Sequence, residues 1–229
     1  MPILIPIWVG VSFFASQMIV LALAWLLLFL KISLASIDTT LINTIETFLI
    51  YIITLALVIG LPWLIKKSQT TPSEIGLDRL PEWIEIFITP AGLIIYFILS
   101  AILIAIASNF IPGFNIDQVQ DIPFSNLSQQ YEYLLAFVSL VVLVPFAEEI
   151  LFRGYLFGKL KKYIPVWVAV ILTSVIFGIL HNNLNVAIDV FALSVVLCVM
   201  RQITGSIWPS ILLHMAKNGI AFYFLFIYK

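Results

Sequence analysis

Charge is what this sequence has least of. Only 10% of its 229 residues are Asp, Glu, Lys or Arg, against 62% apolar, a balance that excludes an ordinary soluble domain and fits a polytopic membrane protein. A formal net charge of −1 and a pI near 6.1 leave no basic footprint, so nucleic acid is not an expected partner. Cysteine occurs once, at Cys198 in an apolar run, which excludes an intramolecular disulfide and any thiolate metal cluster. It reads as a small core residue. Long polar stretches are missing too: the connections between apolar runs reach about twenty residues at most, too few for a soluble domain. No internal repeat and no low-complexity segment is visible, which argues against an inverted-repeat transporter or an array. Finally, no basic stretch precedes the first apolar run, and that run is too long for a signal-peptide core, so it is expected to be a retained span.

What is present is a series of apolar runs. Crossing a ~30 Å hydrocarbon core takes about 20 helical residues. Seven segments qualify, at roughly 6–30, 42–65, 86–111, 131–157, 164–181, 185–203 and 207–228. The expected fold is therefore all-α, a transmembrane helical bundle of about seven spans. Because the fifth and sixth runs are short and separated only by "HNNLN", eight spans or a re-entrant segment are the alternatives. The whole chain, 1–229, reads as one integral membrane domain, with 1–130 as accessory spans and loops and 131–229 as the core. Lys66, Lys67 and Arg79 fall in the second connection, Lys159, Lys161 and Lys162 in the fourth and Arg201 in the sixth, whereas the third holds Asp117 and Asp121 with no base. The positive-inside rule then puts the even loops and the N-terminus in the cytoplasm, with Lys31 and Lys229 dissenting. Segment 66–83, with Pro72, Pro81 and Trp83, reads as an interfacial loop without chemistry of its own.

Against this background a few polar residues stand out. An ionisable group at the centre of a spanning helix costs ~2.5–3.5 kcal/mol on insertion scales, so each is a functional-site hypothesis. Four clusters meet that description: Glu148, Glu149 and Arg153; His181 with Asn182 and Asn183; Asp189; and His214 with Lys217 and Asn218. They include both histidines of the chain. On a helix Glu149 and Arg153 stand at i and i+4 and can pair, while Glu148 points about 100° away. The expected division is an ion pair, Glu149 with Arg153, and an available carboxylate, Glu148. The bland reading of this cluster is a helix-packing ion network, with Gly154 and Gly158 admitting a close neighbour. His214 and Asn218 share a helix face at i and i+4, a geometry that aims two donors at one point or makes ordinary interhelical hydrogen bonds. His181 taken alone reads as a helix-end cap or a satisfied core residue. A pairing of Lys217 with Asp189 or Glu149 is a further expectation.

Three of these stretches, "EEILFR" (148–153), "FGILH" (177–181) and "HMAKN" (214–218), follow the patterns Glu-Glu-x-x-x-Arg, Phe-x-x-x-His and His-x-x-x-Asn in that order. In them the sequence resembles the CPBP family of CAAX proteases and bacteriocin-processing proteins, which includes the Ras-converting prenyl-protein endopeptidase and proteins labelled abortive-infection proteins. "TPSEIGL" (71–77) also looks like a segment that precedes the core helices of that family. The resemblance implies a glutamate-dependent intramembrane endopeptidase with a polar cavity among the fourth, fifth and seventh segments. Glu148 is implied as the base that activates water, with His181 orienting it. His214 and Asn218 are implied as the oxyanion hole, and Glu149 and Arg153 as support. No cofactor is implied. The implied partners are the bilayer and a membrane-associated peptide or protein, prenylated substrates among them; the small size of the chain favours a prokaryotic plasma membrane. The chemistry is coherent, because a carboxylate is a feeble base in water and a stronger one in a low-dielectric cavity, where donors aimed at developing charge are also worth more.

Two other readings use the same residues. Two histidines and a glutamate can ligate zinc, although the H-E-x-x-H spacing is absent. A non-catalytic protein, such as a bacteriocin-immunity factor or scaffold, could bind a membrane peptide in the same cavity. One difficulty is depth. Counted from the cytoplasmic ends at ~1.5 Å per residue, His214 lies about 10 Å deep, Glu148 about 15 Å and His181 about 25 Å. A tilted fifth helix, or one whose first turns project above the bilayer, closes that gap.

Overall fold

The computed structural model describes residues 3–67, 69–118, 124 and 127–228; Asp121, Lys229 and the side chain of Lys66 lie outside them. The chain is all-helical, and among the described residues there is no strand. Among the described residues six helices are long and apolar enough to span a membrane: α1 (Leu4–Phe29), α2 (Thr39–Ile65), α4 (Trp83–Phe110), α5 (Gln130–Leu160), α7 (Leu184–Thr204) and α8 (Trp208–Ile227). Two shorter helices complete the set, α3 (Pro72–Ile75) and α6 (Val166–Ile179). Long apolar side chains such as Phe14, Trp25, Phe87, Ile94 and Ile98 point outward, as expected where lipid is the solvent.

Local chemistry sets the helix ends. Asp38 caps α2 by accepting from the Leu41 amide, Thr71 caps α3 through the Glu74 amide, and Glu82 and Glu85 form a reciprocal capping box at the start of α4. Pro165 stops α5 from running into α6, and Gly205, with φ of +71°, closes α7 in the left-handed region.

Segment 66–83 is the loop that the sequence suggests, and it is docked rather than free. A Cβ at Gly154 would lie 2.5 Å from Ile75 Cγ2, so only glycine lets α3 sit against α5. Gly158 also faces this segment, where a Cβ would meet the Glu74 carbonyl oxygen at 3.4 Å, an ordinary contact. Arg201 is buried beneath this segment and donates to the Glu74 carbonyl at 3.1 Å. The Glu74 carboxylate takes Lys162 at 2.5 Å and Lys159 at 3.5 Å, and its hydrogen bond from Lys162 holds that carboxyl below the ordinary carboxylate range. Lys159, Lys161, Lys162 and Arg201 thus gather at one end of the bundle around residues 71–79. At the other end Asn185 donates to the carbonyls of Ile116 and Gln118, fastening the described part of the third connection to the start of α7.

Helix α6 is shorter than a span and ends at the cavity that holds Glu148. It has 14 residues, a rise of about 21 Å, short of the ~30 Å core. The chain turns back at residues 180–183, with Asn182 at φ of +58°. Non-helical backbone at membrane depth is tolerated where it lines a cavity. These residues do so.

Candidate functional site

The site is built on α5, whose helix widens into π-type turns at Val138–Leu143 and Ile150–Phe157. The ordinary α-turn between them, Val144–Glu149, carries both glutamates. π-type turns often mark functional sites, since they re-aim side chains that regular periodicity would place elsewhere.

Glu149 and Arg153 form the expected pair, with Arg153 Nη1 2.9 Å from Glu149 Oε1, and neither residue has any exposed surface. The guanidinium also lies over the Phe177 ring, 4.5 Å from its centroid. Glu149 has a second partner that its local spacing does not announce. His214 Nδ1 donates to the same Oε1 at 2.8 Å, since a carboxylate oxygen only accepts. The other face of that imidazole, Nε2, is 3.8 Å from Glu148 Oε2, too long for a direct hydrogen bond. His214 therefore stands between the two carboxylates.

Glu148 faces a cavity of about 410 Å³, lined among others by Val144, Phe152, Phe177, His181 and Asn183. Its second oxygen, Oε1, accepts a hydrogen bond from the Tyr51 hydroxyl at 2.5 Å. His181 stands in the same cavity, and its Nδ1 is tied to the Phe177 carbonyl at 2.9 Å. A carbonyl only accepts, so Nδ1 carries hydrogen and Nε2 is the nitrogen left for other contacts. The Phe177 ring lies 5.0 Å from the His181 ring and 6.0 Å from that of His214, a spacer that orients both.

Of the named motif residues Glu148, Phe177 and His181 line the cavity, and Glu149, Arg153, His214 and Asn218 do not. Asn218 Nδ2 donates to the Leu140 carbonyl at 2.9 Å, in the first π-type stretch of α5. One amide hydrogen is thereby committed and one is left. Lys217 pairs with Asp189 at 3.4 Å, as expected, and Asp189 also accepts from Tyr96 (2.7 Å) and Ser100 (2.6 Å). This second polar cluster joins α4, α7 and α8 outside the cavity.

The first two helices add to the cavity wall one residue each that the motifs do not announce, Phe13 of α1 and Tyr51 of α2. Tyr51 is the one polar side chain of the first two helices there, and its only signal in the sequence is a hydroxyl within an apolar run. Among the described residues no three His, Cys, Asp or Glu side chains are grouped so as to hold a metal ion.

These features define a class: a multi-pass helical membrane protein in which a carboxylate, Glu148, and an imidazole, His181, line one cavity and a second imidazole, His214, stands 3.8 Å from that carboxylate. Residues 130–220 match the family model Rce1-like, described as type II CAAX prenyl endopeptidase Rce1-like, and in this stretch the chain is similar to that family. The family is one of proteases, so the activity attached to the domain at family level is that of a CAAX-type intramembrane endopeptidase. Comparison with curated proteins and with solved structures gives no match.

Proposed function

We propose that the chain hydrolyses a peptide bond of a membrane-associated protein or peptide, with Glu148 as general base. The observation that carries this reading is the division of the two glutamates. Glu149 is neutralised by Arg153 and held by His214, whereas Glu148 looks into the cavity alongside His181.

In this mechanism water in the cavity is polarised by His181 Nε2 and gives a proton to Glu148 as its oxygen attacks the scissile carbonyl carbon. The carbonyl π-electrons move to oxygen, and the resulting oxyanion is stabilised by His214 and by the remaining amide hydrogen of Asn218. To donate from Nε2 while Nδ1 serves Glu149, His214 must carry both protons, and the buried group Glu148, Glu149, Arg153 and His214 then sums to zero charge. Collapse of the tetrahedral intermediate breaks the C–N bond, and the proton held by Glu148 passes to the leaving amine. Base catalysis of this kind typically contributes 10²–10⁴-fold.

Within the bundle, residues 131–229 act as the catalytic core and 1–130 as accessory spans. The clustered lysines at one end favour the cytoplasmic side for that end, and for the N-terminus with it, and the membrane proposed is a prokaryotic plasma membrane. The cavity is polar at Glu148, His181 and Asn183 and apolar at Phe13, Phe152 and Phe177, which suits a peptide bearing an apolar group, prenylated substrates included.

The test compares membranes of wild type and Glu148→Ala by N-terminal proteomics. New N-termini present only with wild type, from a variant that melts as wild type does, support the reading. Identical N-termini in the two samples refute it.

A further inference from the structure

We infer that Tyr51, on a helix outside the matched domain, is a positioning residue that fixes which oxygen of Glu148 acts as the base. The inference rests on the reading of Glu148 as general base and goes beyond it by bringing the N-terminal spans into the site.

A glutamate side chain has free rotation about its terminal torsions, and its two carboxylate oxygens are equivalent in solution. Here they are made different. Oε1 accepts from the Tyr51 hydroxyl at 2.5 Å, and Oε2 is turned toward His214 Nε2, at 3.8 Å. A phenol that donates to one oxygen lowers that oxygen's capacity to take a proton and leaves the other as the reacting atom.

Tyr51 is itself held in place. Its ring packs against Phe13 with centroids 6.1 Å apart, and both side chains line the cavity that contains Glu148 and His181. Helix α2 is fixed to α1 by the buried hydrogen bond between Ser16 and Thr54 (2.7 Å) and by Trp8 Nε1 donating to the Val58 carbonyl (3.3 Å). It is fixed to α5 by Ser139 and Thr44 at 3.4 Å. Pre-organisation of this kind is what a catalytic group on a long, flexible side chain needs, since the hydrogen bond is present before substrate arrives.

The test is Tyr51→Phe, which keeps the ring against Phe13 and removes only the hydroxyl. The probe is a quenched peptide copied from a site that wild type cleaves in membranes and Glu148→Ala does not. Loss of a charge-assisted hydrogen bond should lower kcat by about tenfold to a hundredfold. KM should stay within about twofold, because Tyr51 is assigned to the carboxylate and not to the peptide. The pH–rate profile should be displaced and not merely scaled down, a response that a loss of folded protein would not give. An infrared difference spectrum supplies a readout apart from turnover: Tyr51→Phe should move a carboxylate band in wild type and leave the spectrum of a Glu148→Gln background unchanged at that band. Wild-type kcat, KM and pH profile in Tyr51→Phe, with Glu148→Ala inactive, would overturn the role of Tyr51 and leave that of Glu148 intact. Turnover by Glu148→Ala would overturn the reading beneath it.

Discussion

His214 reaches Glu149 at 2.8 Å from Nδ1 and faces Glu148 at 3.8 Å from Nε2, so one imidazole couples the carboxylate that is neutralised to the carboxylate that is available. This relationship ties the ion pair of α5 to the motif on α8. It also gives the fully buried Arg153 a consequence beyond packing. Without the guanidinium, Glu149 would draw on His214 alone, and the ring that faces Glu148 would lose its fixed orientation.

Replacing Arg153 by Met should therefore destabilise the protein by about 3–5 kcal/mol, the cost of leaving a buried charge without its partner. Thermal melting in detergent measures it. The double variant Arg153→Met/Glu149→Gln removes both charges and should regain part of the loss, since a buried pair contributes little net stability while a broken one is expensive. A wild-type melt for Arg153→Met would contradict the pairing.

The second polar cluster is expected to be structural. Lys217 and Asp189 stand 3.4 Å apart, with Tyr96 and Ser100 also on the aspartate. Lys217→Met and Asp189→Asn should each cost stability, and the double variant should cost less than their sum by about 0.5–3 kcal/mol. Strict additivity in denaturant or thermal unfolding would show that the pair is not formed in the membrane.

Much of this arrangement is legible in the sequence, and the residues themselves show why. The pairing of Glu149 with Arg153 follows from i, i+4 spacing, and the spans follow from hydropathy, because both are local properties. The union of Glu148 with His181 is not local. Counting a straight helix from Ile164 sets His181 too deep, whereas in the folded chain His181, just past the end of α6 at Ile179, lines the same cavity as Glu148. The contact of Asn218 with the Leu140 carbonyl depends on a π-type stretch of α5 that the 3.6-residue period does not announce. Tyr51 is hardest to find, since its partner is 97 residues away and nothing in "LIYII" separates a membrane-facing tyrosine from one aimed at a carboxylate.

The approach of α6 to α7 supplies the last prediction. A Cβ at Gly178 would stand 2.9 Å from the Ala187 carbonyl oxygen, a backbone atom that cannot swing aside as a flexible side chain would. Gly178→Ala must push the two helices apart. The residue before it, Phe177, lies beneath the Arg153 guanidinium and meets both histidine rings edge to face, and His181 follows three residues later. The substitution should cost about 1–3 kcal/mol, as overpacking does, and it should lower turnover of the cleaved peptide, because the helix that moves carries His181. Gly10→Ala is the control: a Cβ at Gly10 meets nothing within 4 Å, so the change there should leave melting temperature and turnover as they are or raise the former. If both alanine variants melt and turn over alike, the close contact at Gly178 does not position the site.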